Sequence, residues 1–275
     1  MPARSYLYVP GDRPDRLAKA ADKAGDAVIA DLEDAVAASR KDEALATVLR
    51  WLPAVPAGIE VWVRIGAGPR AAKELTAVGS HDRLDGVILA KASVEAVAAA
   101  AAILPPRVRI GGLVETAQAV LELAALARHP RVTQLGIGEA DLAAELGIAR
   151  DEMSVLGPLR AQLVVASAAA GIHAPTAPVH LDVRDLTGLR ESTEALKRAG
   201  FGARSAIHPD QVAVIEEVFT PSPEEVARAR DVVEAWDAAV AAGTAVAVDG
   251  HGQFVDEAVV RPARRILEIA TRLGG

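Results

Sequence analysis

Short apolar runs alternate with helix-patterned segments along most of this chain, and nothing else in it constrains the fold so strongly. Ser5–Val9, Ala27–Ala30, Ile59–Ile65, Gly86–Leu89, Val108–Val114, Thr133–Ile137, Gly171–Ala174 and Ala203–Ile207 read as strands. Between them, Arg16–Ala24, Arg40–Leu52, Ala71–Val78, Ser93–Leu104, Ala117–Arg128, Pro158–Ala170 and Val183–Ala199 carry helical spacing. Eight alternations predict an α/β protein built as a closed (β/α)8 TIM barrel. A doubly wound sheet usually has fewer strands and a GxGxxG fingerprint after the first. Here PGDRPDR follows the first strand instead.

The expected domain boundary falls at 221/222. Residues 1–221 would form the barrel, and residues 222–275 a C-terminal helical extension with a flap. In the extension, Pro223–Ala242 reads as a helix with Ser222 as its cap and proline at its first position. Gly243–Gly252 reads as a hairpin or mobile flap, and Ala258–Leu273 as a last amphipathic helix. Such a piece would cover the barrel mouth or reach across to a neighbouring subunit.

Composition narrows the function. Of 275 residues 51% are hydrophobic but only 3% aromatic, so the core must be built from Ala, Val, Leu and Ile. A net charge of −7 argues against nucleic acid as the main partner. The chain has no cysteine, which removes disulfides, thiolate metal sites and a cysteine nucleophile. That fits a cytoplasmic enzyme. The N-terminus turns polar too soon for a signal peptide. No apolar run is expected to reach the ~18 residues of a membrane span.

Barrel enzymes work at the C-terminal ends of their strands. The polar residues expected there are Arg13, Glu33, Asp34, Arg64, Lys91, Glu115, Asp141 and His208. Glu115 and Asp141 follow two strands that flank one helix. Parallel neighbours lie about 4.8 Å apart, so both carboxylates would converge on one small ion. Two protein oxygens leave room for water and substrate, which is how Mg²⁺ is usually held. A helix cap is the other reading of each acid. Arg64, in an otherwise apolar strand, suits a carboxylate or a developing oxyanion, or else a surface ion pair. Glu33 and Asp34 would orient that arginine or the waters of the metal, or simply start a helix. Arg13, Arg16 and Lys19 form a basic cluster fit for phosphates or for plain solvation. Lys91 raises the option of a Schiff base, which requires burial and a depressed pKa. His208 reads either as a catalytic or as a capping histidine.

The segments YVPGDRPDRLAKA, AVIADLEDAV, VRI, VETAQAV, GIGEADLAAELG, AIHPDQV and VFTPSPEEVARAR, in this order, resemble the citrate lyase beta-subunit-like proteins of the HpcH/HpaI aldolase and malyl-CoA lyase superfamily. The resemblance runs from Tyr6 to about Leu267. It implies a TIM barrel, Mg²⁺, a CoA thioester substrate and a small 2-oxo acid. The implied reaction is carbon–carbon cleavage, or Claisen condensation in reverse, of a 3-hydroxyacyl-CoA such as malyl-CoA, citramalyl-CoA or a citryl thioester. Alternatives are thioester hydrolysis on the same site, or a non-catalytic CoA-ester-binding subunit. The resemblance implies Glu115 and Asp141 as magnesium ligands, Arg64 as the oxyanion cation, and Arg13 and Lys19 as contacts to the CoA phosphates. It also implies Asp256, in QFVDEAVV, as the acid/base, and a homotrimer or hexamer. Asp256 reads otherwise as a cap for the final helix. Three departures bear on substrate identity more than on metal binding. Leu89-Ala90-Lys91 stands where relatives often read LPK, Arg64-Ile65-Gly66 where they read RIN, and Ala177 where many carry an acid.

Overall fold

The computed structural model describes residues 3–274. The chain divides into two compact units, one ending at Glu217 and the other beginning at Val218.

The first unit opens with β1 (Ser5–Pro10), α1 (Pro14–Ala20), β2 (Ala27–Asp31), α2 (Lys41–Trp51), β3 (Glu60–Ile65), α3 (Ala71–Gly79), β4 (Gly86–Leu89) and α4 (Val94–Ile103). Then come β5 (Arg109–Val114), α5 (Ala117–Leu121), α6 (Leu123–Arg128), β6 (Val132–Ile137), α7 (Glu139–Leu146), α8 (Met153–Ala170), β7 (Thr176–Ala177), α9 (Leu186–Arg198), β8 (Ala203–Ala206) and α10 (Pro209–Phe219). Strands β1 to β8 close in chain order, each parallel to its neighbours, with β8 pairing back onto β1. This is a TIM barrel. Closure removes every sheet edge, and alternation sends every second side chain inward. Tyr6, Ile29, Trp62, Ile88 and Ala203 fill the interior, with the Tyr6 and Trp62 rings edge-on at 6.0 Å. Trp62 lies across Gly86, where a Cβ would sit 2.3 Å from its ring.

Several boundaries differ from the sequence expectations. The seventh strand is Thr176–Ala177, not Gly171–Ala174. Gly171 instead ends α8 in the left-handed conformation, at φ 69°, which glycine adopts without strain. Helix α8 starts at Met153 rather than Pro158, because Glu152 caps it and Pro158 is tolerated inside. Its 18 residues make it apolar and long enough to cross a membrane by composition alone, contrary to the expectation that no run reaches that length. In this chain it packs on α6 and β6, with Leu156 and Leu163 fully buried. The expected Ala117–Arg128 helix breaks at Glu122, whose carboxylate accepts from the Val94 N–H at 3.2 Å.

The second unit holds α11 (Pro223–Ala241), the antiparallel pair β9 (Ala247–Val248) and β10 (Phe254–Val255), and α12 (Glu257–Gly274). Ser222 and Glu225 form a reciprocal capping box at the start of α11. Ala229, Val232, Trp236, Val255, Val260 and Ala263 form its own small core.

Candidate active site

A cavity of about 900 Å³ opens at the C-terminal ends of the barrel strands. Arg64, Glu115 and Asp141 all line it, as do Asp31, Asp34 and Glu139.

Arg64 is fixed by acids at the end of β2 and just beyond it. Asp31 takes it in a bidentate fork, Nε to Oδ1 at 2.7 Å and Nη2 to Oδ2 at 2.5 Å. Glu33 Oε2 lies 3.2 Å from Arg64 Nη1. The guanidinium also stands 5.0 Å over the Tyr8 ring. Burial opposes its charge, but the Asp31 hydrogen bonds and charge outweigh that and hold its pKa above the ordinary value. Asp31, 1% exposed, is itself held by the backbone N–H groups of Glu33 and Ala35. The result is a cation with a defined direction, the pattern that bidentate Arg–carboxylate pairs give.

Glu115 is 2% exposed. Its Oε1 accepts a 2.6 Å hydrogen bond from the Lys91 backbone N–H. Lys91 is the only described non-glycine residue with positive φ, at 47°, and this strained turn aims its N–H at the acid. Gly138 leaves room for the other oxygen, since a Cβ there would sit 2.3 Å from Glu115 Oε2. Burial first, with the nearby Asp141 charge in support, pushes the Glu115 carboxyl up to about 7, against the pull of Lys91 and Arg64. Asp141 lies in the first turn of α7 rather than at the strand exit itself. No group of three His, Asp or Glu side chains converges as a metal cage among the described residues. A buried acid that resists ionisation beside a second acid is the setting a hard cation relieves. Two carboxylates with open space also match the way Mg²⁺ keeps its waters. The residues fit that ion.

Glu33 Oε1 pairs with Lys91 Nζ at 3.1 Å. Burial alone would lower the Lys91 pKa, but Glu33 more than offsets it and raises it. The ammonium therefore stays charged, which removes the Schiff-base option. The basic cluster splits. Arg16, Lys19 and Lys23 line the cavity, whereas Arg13 does not and pairs with Asp15 at 3.0 Å. His208 lines the cavity from beyond β8. Asp256 belongs to the second unit, where its Oδ1 caps α12 by accepting from Ala258 and Val259 N–H at 3.0 and 3.1 Å.

Sequence reasoning passed over Asp31, the main partner of Arg64. Inward alternation from Ala27 through Ile29 to Asp31 carried the signal, but three acids in DLED obscured it. It also missed the Arg160–Glu139 fork, whose Nη2–Oε2 contact of 2.7 Å joins α8 to the cavity wall. Nothing local in the sequence ties residues 21 positions apart.

Fold and site define a TIM-barrel enzyme with an acid-rich, arginine-bearing mouth. Residues 4–209 match the family model for HpcH/HpaI aldolase/citrate lyase, and the chain belongs to that family. Among its relatives is a (3S)-malyl-CoA thioesterase of Cereibacter sphaeroides, 35% identical over 97% of this chain and 94% of the relative. A citrate lyase subunit beta-like protein of Mycobacterium tuberculosis is 34% identical over 96% of this chain and 94% of that one. The solved structure of protein CitE from Mycobacterium tuberculosis, in complex with magnesium, acetoacetate and coenzyme A, superposes with a TM-score of 0.79 at 32% identity, covering 98% of both chains.

Proposed function

We propose that this chain is a Mg²⁺-dependent acyl-CoA lyase that cleaves, or forms in reverse, the C2–C3 bond of a 3-hydroxyacyl-CoA bearing a carboxylate at C3. The observation that carries the reading is the single cavity in which Arg64, locked by Asp31 and Glu33, shares a wall with Glu115 and Asp141.

In cleavage the C3 hydroxyl gives its proton to water in the open cavity, its electron pair becomes the carbonyl of a 2-oxo acid, and the C2–C3 bond breaks. The released pair passes to the thioester as an enolate, which takes a proton at carbon to give acetyl-CoA. Mg²⁺ held by Glu115 and Asp141 would supply positive charge to the hydroxyl and carboxylate oxygens. Arg64 faces the oxygens on which negative charge develops, and its fixed direction avoids reorganisation during the reaction. Glu33 and Asp31 hold that direction. Arg16, Lys19 and Lys23 offer a basic strip for the CoA phosphates. Asp256 would donate the proton to the enolate carbon, from a neighbouring copy of the chain.

Thioester hydrolysis is the second reading, favoured by the 35% identity to the (3S)-malyl-CoA thioesterase. The two readings part at the products. The chain is incubated with malyl-CoA and with citramalyl-CoA, with and without Mg²⁺, and products are resolved by mass spectrometry. Mg²⁺-dependent appearance of acetyl-CoA and a 2-oxo acid is expected. Free CoA with the intact hydroxy acid would overturn the lyase reading in favour of hydrolysis. Absence of turnover of either ester, with or without Mg²⁺, would overturn both.

A further inference from the structure

The mouth of the barrel is chemically divided. Apart from the rim, where Arg16, Lys19, Lys23, Asp34 and Glu139 lie, its charged groups come from β2, β3, the exit of β5 and the start of α7: Asp31, Arg64, Glu115 and Asp141. Three adjacent strands, β7, β8 and β1, carry no charge on the same interior surface and present hydroxyls instead. These are Thr176, Ser205 and Tyr8. Strand register places all three inward. Tyr6 and Ala203 lie in the barrel core, so Tyr8 and Ser205, two residues on, share their face. Thr176 pairs with inward Ala203.

All three line the large cavity, and all three also border a small chamber of about 10 Å³ beneath it. None of the three hydroxyls hydrogen-bonds to another described residue, although Ser205 is only 7% exposed. Burial, led by desolvation, raises the Tyr8 pKa, so its O–H remains a donor. Their oxygens are not among the fully buried unpaired atoms; they face the open cavity, where solvent can reach them until a ligand covers them. Covering such a group without giving it a partner costs about 1–3 kcal/mol.

Geometry decides which part of a substrate reaches them. A CoA ester enters with its bulky tail toward the rim, where Arg16, Lys19 and Lys23 lie on and after α1. The deepest atoms are therefore those farthest from the thioester, at the carbon that carries the hydroxyl. We propose that Tyr8, Thr176 and Ser205 form a specificity floor that favours an oxygen-bearing substituent on that carbon over an alkyl one. A methyl group there would cover three donors and satisfy none. A carboxylate would accept from them, with the Arg64 guanidinium close by above the Tyr8 ring.

This inference rests on the lyase reading, because it assigns one end of that reaction's substrate. It is tested with two 2-oxo acids that differ only in the group on the carbonyl carbon, a methyl in pyruvate and a carboxymethyl in oxaloacetate. Each is titrated by calorimetry into the full chain with Mg²⁺ present. Oxaloacetate should bind at least about tenfold more tightly than pyruvate, the value of one to two hydrogen bonds. Ser205→Ala and Tyr8→Phe should each cut oxaloacetate affinity by roughly three- to tenfold and leave pyruvate binding unchanged or stronger. Ser205→Ala removes a single buried oxygen, and unchanged thermal unfolding shows that its effect is local. Equal or tighter binding of pyruvate by the parent chain, or equal losses for both acids in the variants, would overturn the specificity floor alone. Failure of both acids to bind in the presence of Mg²⁺ would overturn the lyase reading and this inference together.

Discussion

Arg64 and Glu115 are both buried charges that burial alone disfavours, and they are resolved in opposite ways. Arg64 is compensated by Asp31, so its charge is locked in. Replacing Asp31 with Asn keeps the shape but halves the charge complement and breaks the fork. Asp31→Asn should lower kcat by at least about tenfold while leaving KM for the CoA ester within a factor of about three, because the guanidinium loses its direction rather than its presence. Parallel loss of KM and kcat would point to a general structural defect. Glu115 lacks such a partner, and its carboxyl rises from an ordinary 4.5 to about 7. A raised acid gives stability that is complete below the unfolded pKa and is lost as pH climbs through the folded one. Between roughly pH 4.5 and 7, without Mg²⁺, the chain should therefore lose up to about 3 kcal/mol relative to Glu115→Gln, whose amide does not ionise. Added Mg²⁺ should restore much of it. Thermal unfolding across pH checks this, and parallel profiles for the two proteins would contradict it.

At the scale of elements, the ends of β2, β3 and β5 and the first turn of α7 bring the polar groups to the mouth, and the alternation of strands and helices was legible from periodicity. Apolar strands with Arg64 near the end of one and Glu115 just beyond another mark the mouth in the sequence itself, since barrel enzymes carry their polar site residues at the C-terminal ends of the strands. The weak points had physical causes. The seventh strand has only two residues, and its neighbour Gly171 looks like a strand start but serves as a helix C-cap. Arg13 and Lys19 belong to one basic cluster in sequence but sit at opposite ends of α1; Lys19 lines the cavity, whereas Arg13 pairs with Asp15. Asp256 was legible only through resemblance, and its visible contact is the cap of α12. That cap makes a clean test possible, since Asn caps a helix about as well as Asp. Asp256→Asn should keep Tm within about 2 °C and keep CoA-ester affinity, while turnover falls by 10²-fold or more, on the order expected for a lost general acid. Retained turnover would reduce Asp256 to its cap.

At the scale of the whole molecule, the barrel is nearly all aliphatic. Its few aromatic and polar interior residues mark layers. Tyr6 and Trp62 plug the lower barrel, with Tyr6 O–H donating to Gln134 at 2.8 Å. Beyond them Asp31 and Arg64 pair in register, with the Arg64 guanidinium over the Tyr8 ring, and Glu115 and Asp141 follow the ends of β5 and β6. Such layering follows from strand tilt and alternation, so the vertical order of the site was implicit in the strand assignments. The pairing of charges across strands was not, because partners such as Arg64 and Asp31 are 33 positions apart and no local pattern links them. Glu115 and Asp141 are proposed together to hold one Mg²⁺ on which the chemistry depends. Calorimetric titration of Mg²⁺ into the chain, Glu115→Gln and Asp141→Asn, each with a small 2-oxo acid present, tests it most directly. One Mg²⁺ per chain should bind the parent, and each variant should lose at least about tenfold in affinity, as expected when one of two anionic ligands is removed. Undiminished Mg²⁺ binding in both variants would contradict the account.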